Sequence, residues 1–170
     1  AAFQIQNLLI AYKERFDKDN FVKNLLLDNL LLVDIYNRAK KLHIDTEVRR
    51  VIFIIETKHE KDTNALDNVR TLLAVDEKNI IVVKELEPND GHAELEKIAE
   101  NMYTLLKEDG EEDILIAYGT VVGDIKEVSK SYKEAKLALD VGKIFFSERS
   151  VIAYSALGIG RLIYQLPIPL

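Results

Sequence analysis

The chain has 170 residues, 48% of them hydrophobic and 31% charged, with a formal net charge of −6 and no cysteine. That length suits one domain able to bury roughly 70% of its unfolded surface, and the composition excludes a disordered chain. The acidic balance argues against direct contact with a phosphate backbone, and the absence of cysteine excludes a disulfide scaffold or a thiolate metal site.

From the N-terminus, Ile5, Leu8, Leu9, Tyr12 and Phe16 form a helical stripe over residues 3–16. Phe21, Leu25 and Leu26 repeat it over 20–28. Asp34 is placed to cap a helix over Ile35–Leu42, with Ala39 and Leu42 inward. Val51-Ile52-Phe53-Ile54-Ile55 is too short for a helix and reads as a strand buried on both faces. A short helix is expected over 63–71. Leu72–Val75 and Ile80–Val83 then flank Asp76-Glu77-Lys78-Asn79, the pattern of a β-hairpin.

Pro88-Asn89-Asp90-Gly91 breaks the chain, and Asn89 or Asp90 can cap a helix striped by Leu95, Ile98, Met102, Leu105 and Leu106. Ile114–Tyr118 reads as a strand. Asp124 with Glu127 resembles a capping box opening a helix striped by Ile125, Val128, Tyr132, Ala135 and Leu139, and Gly142 suits that helix's C-terminal turn. A strand at Val151–Ser155 and a helix from Gly158 follow. The order βαββαβ predicts a ferredoxin-like α+β fold, with helices on one face of an antiparallel sheet and strand order 4-1-3-2. The expected organisation is an N-terminal helical segment at 1–48, an α+β domain at 49–156, and an exit helix with the start of a linker at 157–170.

The topology is one that nucleotidyl cyclases share, and a cyclase needs carboxylates at the end of the first strand and in the hairpin to hold two metals. Glu56, Asp76 and Glu77 occupy those places. Ordinary strand-end and turn acids explain them better. Ala74-Val75 stands where a GGDEF cyclase has the glycine pair that lets backbone approach the nucleotide. Glu56-Thr57-Lys58-His59 also lacks the cyclases' two aspartates followed by Phe-Lys. His43, His59 and His92 are scattered without metal-ligand spacing. Ser131 and Ser155 have no nucleophile elbow, and Gly119, Gly123, Gly158 and Gly160-Arg161 make no phosphate loop. Lys126, Lys130, Lys133 and Lys136 read as a solvated helix edge laced with Glu127 and Glu134. No catalytic, cofactor-binding or metal-binding residue is assigned, and no enzyme activity is expected.

The last third, AYGTVVGDIKEVSKSYKEAKLALDVGKIFFSERSVIAYSALGIGRLIYQLP (117–167), resembles the middle domain of sugar-diacid and purine-catabolism regulators of the CdaR/PucR type. The Ser131–Lys143 segment is also similar to a packing helix of active GGDEF cyclases, and the resemblance extends over roughly residues 20–167. It implies a degenerate, non-catalytic GGDEF-like domain in a cytoplasmic transcription regulator. Such a domain would form a homodimer and relay a metabolite signal to a helix-turn-helix beyond Leu170, the part that would contact DNA. The effector is left open. The alternative is a cyclase-like module that binds a nucleotide or small acid as an allosteric ligand. No apolar run reaches the roughly 18–20 residues of a membrane span, and both ends read as cut from a longer protein.

Overall fold

The computed structural model describes residues 2–58, 71–75, 79–145 and 150–158. Along them run α1 (Ala2–Leu26), α2 (Leu32–Lys41), β1 (Arg50–Glu56), β2 (Thr71–Val75), β3 (Asn79–Glu85), α3 (His92–Glu108), β4 (Leu115–Tyr118), α4 (Val128–Phe145) and β5 (Val151–Ala153). The strands form one mixed sheet in the order β2-β3-β1-β4-β5. All neighbours are antiparallel except β4 and β5, which run parallel. The expected order 4-1-3-2 is present, and β5 extends it beyond β4. The helix expected at 63–71, the hairpin residues 76–78 and the exit helix from residue 159 onward lie outside the described residues.

β1 is the central strand, and each of Val51–Ile55 is at most 1% exposed. Alternate side chains along it enter opposite layers. Val51, Phe53 and Ile55 meet Leu95, Ala99, Met102 and Leu106 of α3. Ile52 and Ile54 share a second layer with α4 and with Phe21, Val22, Leu25 and Leu26 of α1. The described helices therefore cover both faces rather than one, because a strand apolar on both sides cannot leave either to water.

Local chemistry moves several boundaries. α1 runs unbroken through the polar stretch 17–20 that separates the two stripes. α2 begins at Leu32 without a side-chain cap, so Asp34 lies inside its first turn. The turn before α3 is closed by Gly91, whose N–H donates to Glu94 at 2.9 Å. Asp90 instead accepts from the Glu87 N–H at 2.8 Å. Asp124 caps the 3₁₀ turn Ile125–Glu127 ahead of α4 by accepting from the Lys126 N–H, and the Tyr36 hydroxyl donates to both its carboxylate oxygens.

Two glycines mark where α4 approaches the sheet. A Cβ on Gly119 would lie 2.3 Å from the Ser131 carbonyl oxygen, and one on Gly142 would lie 2.0 Å from Ile152 Cδ1. Gly142 lies in the last turn of α4, as expected, and is also a point of close packing against β5. Ser131 completes the first contact, because its hydroxyl accepts from the Ile52 N–H at 3.1 Å. The β1–β4 ladder ends there, with the Gly119 N–H on the Ile52 carbonyl, and without the serine a buried strand N–H would be orphaned.

The backbone clash at Gly119 has no way to relax, whereas Ile152 can turn its terminal methyl and alanine is the better helix former at 142. Urea unfolding should therefore show Gly119→Ala at least about 1 kcal/mol less stable than Gly142→Ala. Ser131→Ala should cost about 1–3 kcal/mol for the unpaired N–H. Equal stability of all three variants would refute this account of α4 docking.

Candidate functional site

The cyclase-type edge of the sheet is the first place to look. Glu56 ends β1 beside Asn79 of β3 and Leu115 of β4. Its carboxylate is ion-paired with Lys143, from the last turn of α4. The ammonium supplies the positive charge that a metal would bring to a carboxylate at this strand end. Lys58, two residues on, pairs with Asp113 at 2.8 Å. Ala74 is buried in the layer shared with α1 and α4, while Val75 sits half-exposed beside it. Asp76, Glu77 and His59 lie outside the described residues. Among the described residues no three His, Asp or Glu side chains are grouped to hold a metal.

The remaining candidates resolve into structural roles or solvent. Ser131 is fully buried on the Ile52 N–H, and Ser155 is exposed in a 3₁₀ turn. His43 is exposed with a left-handed backbone just after α2, and His92 pairs with Glu96 at 3.3 Å. Gly123 is exposed, Gly158 has a φ of +43°, and Gly160-Arg161 lies outside the described residues. Lys126 is exposed in the 3₁₀ turn ahead of α4, and Lys130 and Lys136 are exposed on α4. Burial pushes the Tyr118 phenol up to about 12, with Glu96 and Glu100 adding to the effect, so it stays protonated at neutral pH.

Lys133 is different. Its ammonium reaches Asp28 at 2.6 Å and ties the end of α1 to α4. Asp28 has a left-handed backbone, with φ of +57°, which ends α1. Lys133, then Ser129, hold its carboxyl below the ordinary carboxylate value, against a smaller opposing effect of burial.

α1 itself carries a feature its sequence stripes do not disclose separately. Ile5, Leu8, Leu9, Tyr12 and Phe16 are all between 56% and 73% exposed, whereas Phe21, Val22, Leu25 and Leu26 are at most 3% exposed. At 3.6 residues per turn the first set points roughly 130° around the helix from the second. A continuous helix cannot seat both on one sheet. Lys23 and Leu27 fall on the outward face, and it leads to a cavity between the end of α1, β2 and α4. Leu26, Leu27, Ala74, Val75 and Ile81 are its apolar lining residues, and Lys23 and Tyr132 are the lining residues that carry a polar group. Sequence reasoning missed the cavity because its walls come from segments about fifty residues apart.

These features define an α+β domain of nucleotidyl-cyclase topology. A family model described as a GGDEF-like domain matches residues 29–141, and the chain belongs to that family. No curated protein matches the chain. Among the described residues no helix is long and apolar enough to cross a membrane.

The Asp28–Lys133 pair gives a pH test. The folded pKa of Asp28 is depressed from 3.8, so its stabilisation is present above that value and is lost as pH falls through the folded one. The pair is half-exposed, so Asp28→Asn should cost roughly 0.2–1 kcal/mol near neutral pH. Against wild type, that difference should shrink as pH falls below 3.8 and vanish once the folded carboxyl is also protonated. A difference that is unchanged or larger in acid would contradict it.

Proposed function

We propose that this domain is a non-catalytic relay and dimerisation module of a cytoplasmic transcription regulator of the CdaR/PucR type, passing a metabolite signal to a DNA-binding helix-turn-helix elsewhere in the protein. The observation that carries this reading is the outward stripe of α1. Five large apolar side chains lie in water on a face that the domain's own sheet cannot reach. Contiguous exposed apolar surface of this kind marks an interface.

The stripe is also self-complementary. Ile5, Leu9, Tyr12 and Phe16 are spaced by alternating four and three residues, the spacing of a coiled-coil seam. In an antiparallel pair centred between Leu9 and Tyr12, Ile5 meets Phe16 and Leu9 meets Tyr12 at both ends, as a two-fold axis requires. A dimer joined through α1 would place the two regulator chains in fixed relation, which suits a reader of two DNA half-sites.

Absence of catalysis is supported by the cyclase-type edge. Side chains at Ala74 and Val75 occupy the place where a nucleotide would need bare backbone, and Lys143 neutralises the strand-end carboxylate of Glu56.

Sedimentation of the 170-residue chain at tens of micromolar should give a dimer. Leu9→Asp should give a folded monomer whose thermal midpoint equals that of the wild type diluted below its dimer range, because Leu9 is outside the core. A wild-type monomer, or a dimer that survives the substitution, would defeat the α1 interface. Incubation with GTP or ATP and Mg²⁺ or Mn²⁺ should yield no cyclic product. Turnover that disappears in Glu56→Ala would overturn the non-catalytic reading.

A further inference from the structure

The cavity at the foot of α1 has a volume of about 390 Å³, within the roughly 300–1,000 Å³ range of small-molecule sites. Its floor is sheet, from Ala74 and Val75 of β2, and its side walls are helix, from Leu26 and Leu27 on one side and Tyr132 on the other. The Asp28–Lys133 ion pair joins the same two helices one residue beyond Leu27 and Tyr132. That pair links the two walls. A ligand would enter a space already formed, which lowers the ordering cost of binding.

The polar groups fix the ligand's chemistry. Two acids adjoin the cavity's lining in sequence: Asp28, which is already committed to Lys133, and Asp76, which lies outside the described residues. The Lys23 side chain has no hydrogen-bonding or ionic partner among the described residues, which leaves the cation in the lining of an apolar chamber open to an anion. The half-buried Tyr132 hydroxyl can donate a hydrogen bond to the same anionic group. One cation and one donor suit a single carboxylate. A second charge on the ligand would lie against leucine, alanine and valine, where an unpaired ion is strongly disfavoured.

We propose that the cavity between α1, β2 and α4 is a binding site for a small amphipathic monocarboxylate, with its apolar body against Leu26, Ala74 and Val75 and its carboxylate on Lys23 and Tyr132. The site is separate from the cyclase-type edge, and occupancy needs no dimer. Because Lys23 and Leu27 lie on the same helix face as the outward stripe, a ligand here would brace the end of α1 from which that stripe projects.

Titration calorimetry on the 170-residue chain tests this with three eight-carbon compounds: octanoate, the neutral octan-1-ol and the dicarboxylate octanedioate. Octanoate should bind with one-to-one stoichiometry. Octanedioate should bind at least about fivefold more weakly than octanoate, for the cost of its second charge. Lys23→Gln should weaken octanoate by about fivefold or more and leave octan-1-ol unchanged. Val75→Trp, a half-exposed position that fills the chamber, should abolish binding of both without lowering the thermal midpoint. Absence of saturable octanoate binding would overturn the proposal, as would binding indifferent to Lys23→Gln or to Val75→Trp. Binding that appears only after Leu9→Asp would also overturn it, because a second copy of the chain would then be the occupant.

Discussion

The architecture follows from one constraint: β1 is apolar on both faces. Five consecutive side chains, Val51 to Ile55, are removed from water, each contributing about 1.5–3 kcal/mol, and no single helical layer can cover them all. α3 covers the odd-numbered set. The even-numbered set needs a second layer, which α4 supplies by approaching closely enough for Ser131 to reach the Ile52 N–H and for Gly119 to be the only tolerable residue beneath it. α4 covers the β4 and β5 side of that face, and the β2 side is taken by the C-terminal half of α1.

That recruitment explains the odd division within α1. Its last turns must turn Phe21, Val22, Leu25 and Leu26 to the sheet, so a straight helix carries its earlier apolar residues to the other side. The domain's core thereby fixes the direction of a surface it does not use. Under the proposed reading this is how the domain presents a partner-binding helix rigidly, since the helix is anchored by its own core-facing half and by Asp28 on Lys133. The cavity sits at the junction of the anchored and projecting parts, where a ligand would have the most leverage on the helix.

Much of the fold was legible in the sequence because it rests on periodicity. The continuous β-branched run of β1, the hairpin strands, the α3 and α4 stripes and the 4-1-3-2 order each follow from local pattern plus crossover geometry. What was not legible depends on contacts between distant residues. Asp17 to Asn20 is a polar gap between two stripes, and packing of the turns that follow carries one helix, α1, through it. Gly142 reads as a helix end, yet only the position of Ile152 reveals it as a point of close approach. Glu56 reads as an unpaired strand-end acid, and nothing near it in sequence announces Lys143 eighty-odd residues later. The family's packing positions are visible in Ala135, Ala138 and Leu139, all buried, and the divergence of its chemistry is visible in Ala74-Val75.

The division of α1 between core and interface is the central claim, and amide hydrogen exchange resolved along α1 tests it most directly. The amides of residues 21–26 should be protected to near the global unfolding free energy at every protein concentration. Those of residues 5–16 should exchange quickly in dilute solution and gain protection as the concentration rises through the dimer range. Uniform protection of the whole helix, independent of concentration, would contradict the account, because the outward half would then need no partner.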